Sequence, residues 1–479
     1  YGLTYTPRVK AVGTLLTAIT EYGRDGSALP PTEFSYAADD GRWNESHEIW
    51  APVDTPFLDN THVEMMDVNR DGLVDIVDGD IVWKVNLNTG SSWPAEGTEW
   101  LVQGNHQLGE ADTELADVNN DGLVDIVEGE GWTFRINFNN GNGWGGVTEW
   151  PAGWDHNLEE LDTQLIDVNG DGLVDILEGD GSTWYINFNN GNGWSSRVGW
   201  SAGSDHNLEE SDTQVADVNG DGLPDIVEGE DTWTVNINNG SGWDAPQVWL
   251  VQQNHSLDEY DTALADVNGD GLVDIVEGDG ESGWEVNLNS GDGWGTPIKR
   301  LSDRPELTSD VRLAEANGNG FPDVVARKGG VGWKVHINQG NRGFLLTGIK
   351  SSYGGKIAIE YGPSTKLDNT GTDNVSDLGF NVWVVTRVTR DNGLTGPQQA
   401  VVTETYSYQD GLQDYQDEEF RGFHAVTATD NFGTSTQHLT YQDDALKGRE
   451  ERMEVRGPGG ELYSETRNTY SSTPRGAGY

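Results

Sequence analysis

The chain is 479 residues long and carries 81 acidic against 28 basic side chains, a formal charge of −53 at pH 7. That balance argues against nucleic acid and anionic membrane surfaces, which need a basic face, and favours cations as partners. With no cysteine, disulfides, thiolate zinc sites and a cysteine nucleophile are excluded too.

No stretch approaches the ~18 apolar residues of a bilayer span. No basic-then-apolar leader opens the chain, and a start at Tyr1 reads as a mature or excised piece. Residues 1–31 read as lead-in strands, residues 32–345 as a propeller, and residues 346–479 as a further β-rich segment. Trp43 and Trp50 repeat the spacing of Trp93 and Trp100 one period earlier, with no acidic loop before them. They belong either to a partial seventh blade or to strands that close the ring onto the last one.

From Asp67 the repeats begin. DVNRDGLVDIVDG is followed by copies opening at Asp117, Asp167, Asp217 and Asp266, and a weaker one, EANGNGFPDVVAR, opens at Glu315. A fixed period of ~40–50 residues marks a propeller blade. After each loop comes a Trp-rich alternating run, such as Trp184-Tyr-Ile-Asn-Phe-Asn, then an Asn-Gly turn. Alternation between such turns is a strand and hairpin signature. Another tryptophan follows (Trp93, Trp144, Trp194, Trp243, Trp294), replaced by Phe344 in the sixth copy. The expectation is all-β, a β-propeller of six loop-bearing blades, with seven as the alternative. Beyond residue 345 the loops stop. Alternating runs at 356–361, 382–388, 400–408, 424–429 and 436–441 predict more strands, with residues 367–378 as a flexible loop.

Each loop places oxygen donors at its first, third, fifth, seventh (a carbonyl) and ninth positions. Calcium takes six to eight such hard ligands, and the glycine permits the turn that brings the ninth back. The candidate sets are Asp67, Asn69, Asp71, Leu73 and Asp75; Asp117, Asn119, Asp121, Leu123 and Asp125; Asp167, Asn169, Asp171, Leu173 and Asp175. Asp217, Asn219, Asp221, Leu223 and Asp225, and Asp266, Asn268, Asp270, Leu272 and Asp274, complete five sites for Ca²⁺. The sixth loop, with Glu315, Asn317, Asn319 and Asp323, is a doubtful one. Glu128 even stands at position twelve, as in a helix-loop-helix hand, yet the residues after the loop alternate as a strand does. The bland alternative is an acidic turn satisfied by hydrogen bonds alone.

Other recurring residues point to packing. His106, His156, His206 and His255 lie one per repeat, so they do not converge on a metal, and each reads as bonding its own blade. Asp112, Asp162, Asp212, Asp261 and Asp310 read as turn or inter-blade residues more than as outer ligands of the loops. Tryptophan at constant strand phase reads as packing between blades. If exposed, it would stack on sugars and make this a carbohydrate-binding propeller, an adhesin or lectin. No nucleophile elbow, phosphate loop or zinc helix occurs, and the chain is read as no enzyme.

The loops resemble the calcium-binding repeats of integrin-type (FG-GAP or VCBS) propellers. That resemblance assigns the metal to the same first, third, fifth, seventh and ninth positions. The flanks, among them Tyr353-Gly-Gly-Lys-Ile-Ala-Ile-Glu-Tyr and Glu419-Phe-Arg-Gly-Phe followed by Asp430-Asn-Phe-Gly, are similar to the middle of the B component of bacterial three-part insecticidal (Tc) toxins and related RHS-repeat shell proteins. It implies a secreted, non-enzymatic propeller that docks on a channel-forming subunit and gates it, followed by the start of an RHS shell.

Overall fold

A computed structural model describes residues 1–7, 14–37, 42–51, 56, 58, 60–104, 106–230, 232–251, 255–259, 261–278, 283–302, 307, 310–327, 332–340, 342–371 and 375–470. Among these residues there are β-strands and two short 3₁₀ turns, Ser364–Lys366 and Gly396–Gln398, and no α-helix.

The repeats form six four-stranded antiparallel sheets. Blade II is representative: Thr113–Ala116, Asp125–Glu128, Glu130–Asn139 and Trp144–Asn157 run from first strand to outer strand. Its register places Asp125 opposite Ala116 and Ile126 opposite Asn137, so the acidic loop and the Asn140 turn share one end of the blade. Blade VI takes Val311–Ala314, Asp323–Ala326 and Trp333–His336 from the end of the repeats. Its outer strand is Glu48–Ala51, which pairs Ile49 with Lys334 and Glu48 with Val335. The ring therefore has six blades, and of the two readings of Trp43 and Trp50 the closing one is correct. Trp43 also takes the place assigned by sequence to Phe344: it bridges Asn338, donates from Nε1 to Pro322 O at 2.9 Å and lies 5.5 Å from Trp284.

The core consists of apolar clusters that each draw on two neighbouring blades. Phe134, Ile136 and Trp150 of blade II pack with Ile176 and Trp194 of blade III. The junction that closes the ring joins Val325, Trp333 and Trp50 to Val63, Ile76 and Trp93 of blade I. Strands covered on both faces are apolar at successive positions, as in Asp-Ile-Val-Glu, where a one-sided sheet would alternate.

The second unit is an eleven-stranded sheet, antiparallel from its second strand onward. It corrects the expected boundary at residue 32. Gly2–Pro7, Thr14–Thr20 and Thr32–Tyr36 are its first three strands, and Thr32–Tyr36 pairs with Leu346–Lys350, Phe34 opposite Ile349. The propeller is inserted in sequence between two adjacent strands of this sheet. Seven more strands follow, from Lys356–Pro363 to Leu462–Arg467. The loop expected to be flexible instead returns to the sheet: Leu378 is buried with Val384 and Phe423, and Asn369 Nδ2 donates to Ser364 O. Residues 372–374 of it lie outside the described residues.

Candidate functional site: the blade loops

Each loop is wound around its first aspartate. In blade I, Asp67 Oδ1 accepts from Asp71 N at 3.2 Å and Oδ2 from Gly72 N at 2.7 Å, while Asp71 Oδ1 accepts from Leu73 N at 2.9 Å. The third residue joins in, Asn69 Oδ1 accepting from Asp71 N and Nδ2 donating to Asp71 Oδ2. Blades II to V repeat this. The sixth position turns at positive φ, from 79° at Gly72 to 88° at Gly222, which glycine adopts without strain. At the fourth position of blade V glycine is needed for space as well, since a Cβ on Gly269 would lie 2.6 Å from Phe321.

The ninth aspartate anchors the loop to the sheet. Asp125 is fully buried; its Oδ2 accepts from Val118 N at 3.3 Å and its Oδ1 from Asn139 N at 2.8 Å. Burial, with added repulsion from Asp121 and Asp117, pushes Asp125 up to about 8. Burial first, and the Asp71 charge next, push Asp67 up to about 7. Asp175 and Asp225 likewise rise to about 7, and Asp75, Asp274 and Asp323 stand well above the ordinary carboxylate range. Carboxylates that raise one another in a partly buried loop are what a divalent cation would relieve. The donors are all hard oxygens, so the set fits calcium in chemistry.

The first, third, fifth and ninth residues of each loop are thus brought into one hydrogen-bonded turn. Among the described residues, however, the group of three carboxylates that converges within 4.8 Å lies elsewhere, at Asp414, Asp417 and Asp444. There a guanidinium fills the centre: Arg421, of the Glu-Phe-Arg-Gly-Phe segment, reaches Asp414 at 2.5 Å, Asp417 at 2.9 Å and Asp444 at 2.5 Å. That cluster is an arginine cage tying two turns of the sheet together. In the sixth loop one amide, Asn319 at the fifth position, stands where an aspartate does elsewhere, and its Nδ2 donates to Asn338 O at 2.7 Å.

One asparagine per blade, not singled out in the sequence, completes the loops. Asn139 Nδ2 donates to Val124 O of its own loop at 3.0 Å and to Val68 O of blade I at 2.8 Å. Asn189, Asn238, Asn289 and Asn338 each reach the preceding blade in the same way, and Asn88 closes the circle on Ala316 O at 2.8 Å. The turn tryptophans brace the same spot, Trp144 Nε1 donating to Val124 O and Trp194 Nε1 to Val174 O. The only sequence signal was the constant phase of the last Asn in each alternating run.

The histidines bond the next blade, not their own. His156, on the outer strand of blade II, meets Asn187 Oδ1 at 2.9 Å and Glu178 at 3.7 Å in blade III. His255 meets Glu277 at 2.8 Å, and His106 pairs with Glu128, the residue at position twelve. That glutamate is therefore engaged at the far end of its strand. Asp112, Asp162, Asp212, Asp261 and Asp310 also lie there, away from the loops, their backbone carbonyls accepting from Gly129, Gly179, Gly229, Gly278 and Arg327. Of the tryptophans, those at the repeating strand phases are buried, and only Trp132 and Trp154 are largely exposed among the described residues.

Against known proteins, residues 296–450 match the model of the insecticide toxin TcdB middle/N-terminal region, and residues 167–228 and 217–277 match the FG-GAP-like repeat. Over residues 296–450 the chain is similar to the middle of a Tc toxin B component. Among solved structures, the Photorhabdus luminescens Tc holotoxin pore is similar at 19% identity with a TM-score of 0.77, over 95% of this chain and 25% of that one. Crystal structures of TcdB2-TccC3 and TcdB2-TccC3-TEV are similar at 17% and 18% identity with TM-scores of 0.63 and 0.64, covering 95% of this chain and 26% and 25% of theirs. At these identities the likeness is one of fold, and the chain spans about a quarter of those chains. No curated protein sequence matches it.

Proposed function

We propose that the chain is the calcium-stabilised propeller and adjoining sheet of a secreted toxin complex, a non-enzymatic part that docks on a channel-forming subunit and gates it. The observation that carries this reading is the six-bladed ring inserted between adjacent strands of a larger sheet, an arrangement matched over 95% of the chain by the Tc holotoxin pore structure. The strong negative charge supports a partner with a basic rim, found faster at low salt. Binding of the full chain to a purified channel-forming Tc subunit tests it. Nanomolar association that weakens with salt is expected, and no association contradicts the reading.

In each of blades I to V, the carboxylates at positions one, five and nine, the asparagine oxygen and the seventh carbonyl would hold the ion. When bound, calcium supplies two positive charges where buried carboxylates repel. The chain's own part is to fix the loop: the Asx-type bonds from Asp67 and its equivalents, and the Asn139-type clamp to the neighbouring blade, hold the donors in place. The carbohydrate-binding reading loses the buried tryptophans and is left with Trp132 and Trp154 among the described residues.

A further inference from the structure

The propeller has two unlike ends. The acidic loops and the turns after the third strands lie at one; the second-to-third turns and the connections into each next first strand lie at the other. At the loop end Trp43 bridges Asn338 and Gln339 N donates to Arg42 O at 2.8 Å. At the far end of blade II, Trp132 and Trp154 are 58% and 44% exposed with ring centroids 5.6 Å apart. Arg197, held by Glu178 at 2.8 Å, lies 5.6 Å from the Trp154 ring.

Neither tryptophan belongs to the apolar clusters that join blade II to its neighbours. Blade III carries Ser182 and Ser204 at the corresponding positions and keeps the same strand register, Gly181 opposite His206 as Gly131 is opposite His156. The same end of the adjoining blades shows Ile81, 82% exposed, and Leu161, 73% exposed. Around them stand exposed acids: Glu130 and Asp180 at the starts of the third strands, Glu159, Glu160, Glu209 and Glu210 in the connections. Exposed aromatic and aliphatic groups rimmed mainly by acids, with the paired Arg197 beside Trp154, have the anatomy of a protein interface, and tryptophan is a common anchor.

We infer that the far end of blades I to III is the docking face, with Trp132 and Trp154 as its anchor. The partner it fits is a protein surface with an apolar centre rimmed by Lys and Arg; an acidic partner would be repelled. This rests on the docking reading above and gives it a face, the one opposite the acidic loops.

The test uses the full chain, with the channel-forming subunit of the Photorhabdus luminescens Tc holotoxin as probe and a glycan array in parallel. The double variant Trp132→Ser, Trp154→Ser copies blade III and is expected to melt with the unsubstituted chain. Its affinity for the subunit is expected to fall by about thirtyfold or more, as for loss of an interface anchor. Leu250→Ser is the matched control: Leu250 is 76% exposed, and its carbonyl accepts from Trp294 N at the loop end. It should leave affinity unchanged. Unaltered binding by the double variant, or loss in the control instead, overturns the inference while the docking reading stands. Failure of the unsubstituted chain to bind overturns the docking reading and the inference with it. Glycan binding lost in the double variant, with subunit binding unchanged, overturns the inference in favour of carbohydrate.

Discussion

Asn189 illustrates what single residues do for the ring. Its amide donates to Val118 O in the preceding blade at 2.8 Å and to Val174 O at 3.1 Å, and its oxygen accepts from Gly191 N. Asn189→Ala leaves buried carbonyls unpaired and should cost about 2–4 kcal/mol in urea unfolding; a loss near zero would mean that the blades are held by packing alone. Glu114 acts through pH. It lies on the first strand of blade II, opposite Val127, and burial pushes it up to about 7 from the ordinary 4.5. A raised carboxylate favours the fold below the unfolded value and loses that contribution as pH climbs through the folded one. Glu114→Gln, which copies Gln164 and Gln214, should therefore raise stability at pH 8 by about 1–3 kcal/mol. It should give no gain at pH 4, as read by unfolding at the two pH values. The loop residues were legible because chemistry and spacing coincide within nine positions. The asparagine clamp was not, because its partner lies about one blade and a half away in sequence and is met only once the ring is built.

At the scale of elements, the decisive one is the short segment that closes blade VI. Trp43 occupies the position that Trp243 occupies in blade IV, each donating to the eighth loop carbonyl, Pro322 O and Pro224 O. If Glu48–Ala51 is a full member of the ring, Trp43→Ala and Trp243→Ala should destabilise alike, by about 3–5 kcal/mol. A cost for Trp43→Ala far below that of Trp243→Ala would show closure to be loose. The repeated strands were readable from their alternation and turns. Glu450–Arg456 and Leu462–Arg467 were not, since EERMEVR carries charges on both faces and LYSETR, at the edge of the sheet, is exposed along its whole length. The first strands were misplaced for a different reason: a strand's partner, here Leu346–Lys350 for Thr32–Tyr36, can follow the whole propeller in sequence. The Trp43 and Trp50 spacing did carry the closure, because outer-strand tryptophans repeat even where the loop does not.

For the whole molecule, charge and ring closure oppose each other. Most of the −53 belongs to the repeats, since residues 345–479 hold 19 acids against 12 bases, and self-repulsion of this size weakens a compact state. Calcium in the loops would offset that repulsion where carboxylates crowd together, as at Asp117, Asp121 and Asp125. Raising monovalent salt with chelator present should recover part of the stability, through screening, without reproducing the effect of calcium. The most direct measurement is a calorimetric calcium titration of the metal-free full chain, paired with thermal unfolding before and after. About five tight sites and a melting temperature raised by several degrees are expected from the loop ligands. No binding heat together with an unchanged melting temperature would contradict the claim that calcium organises this ring.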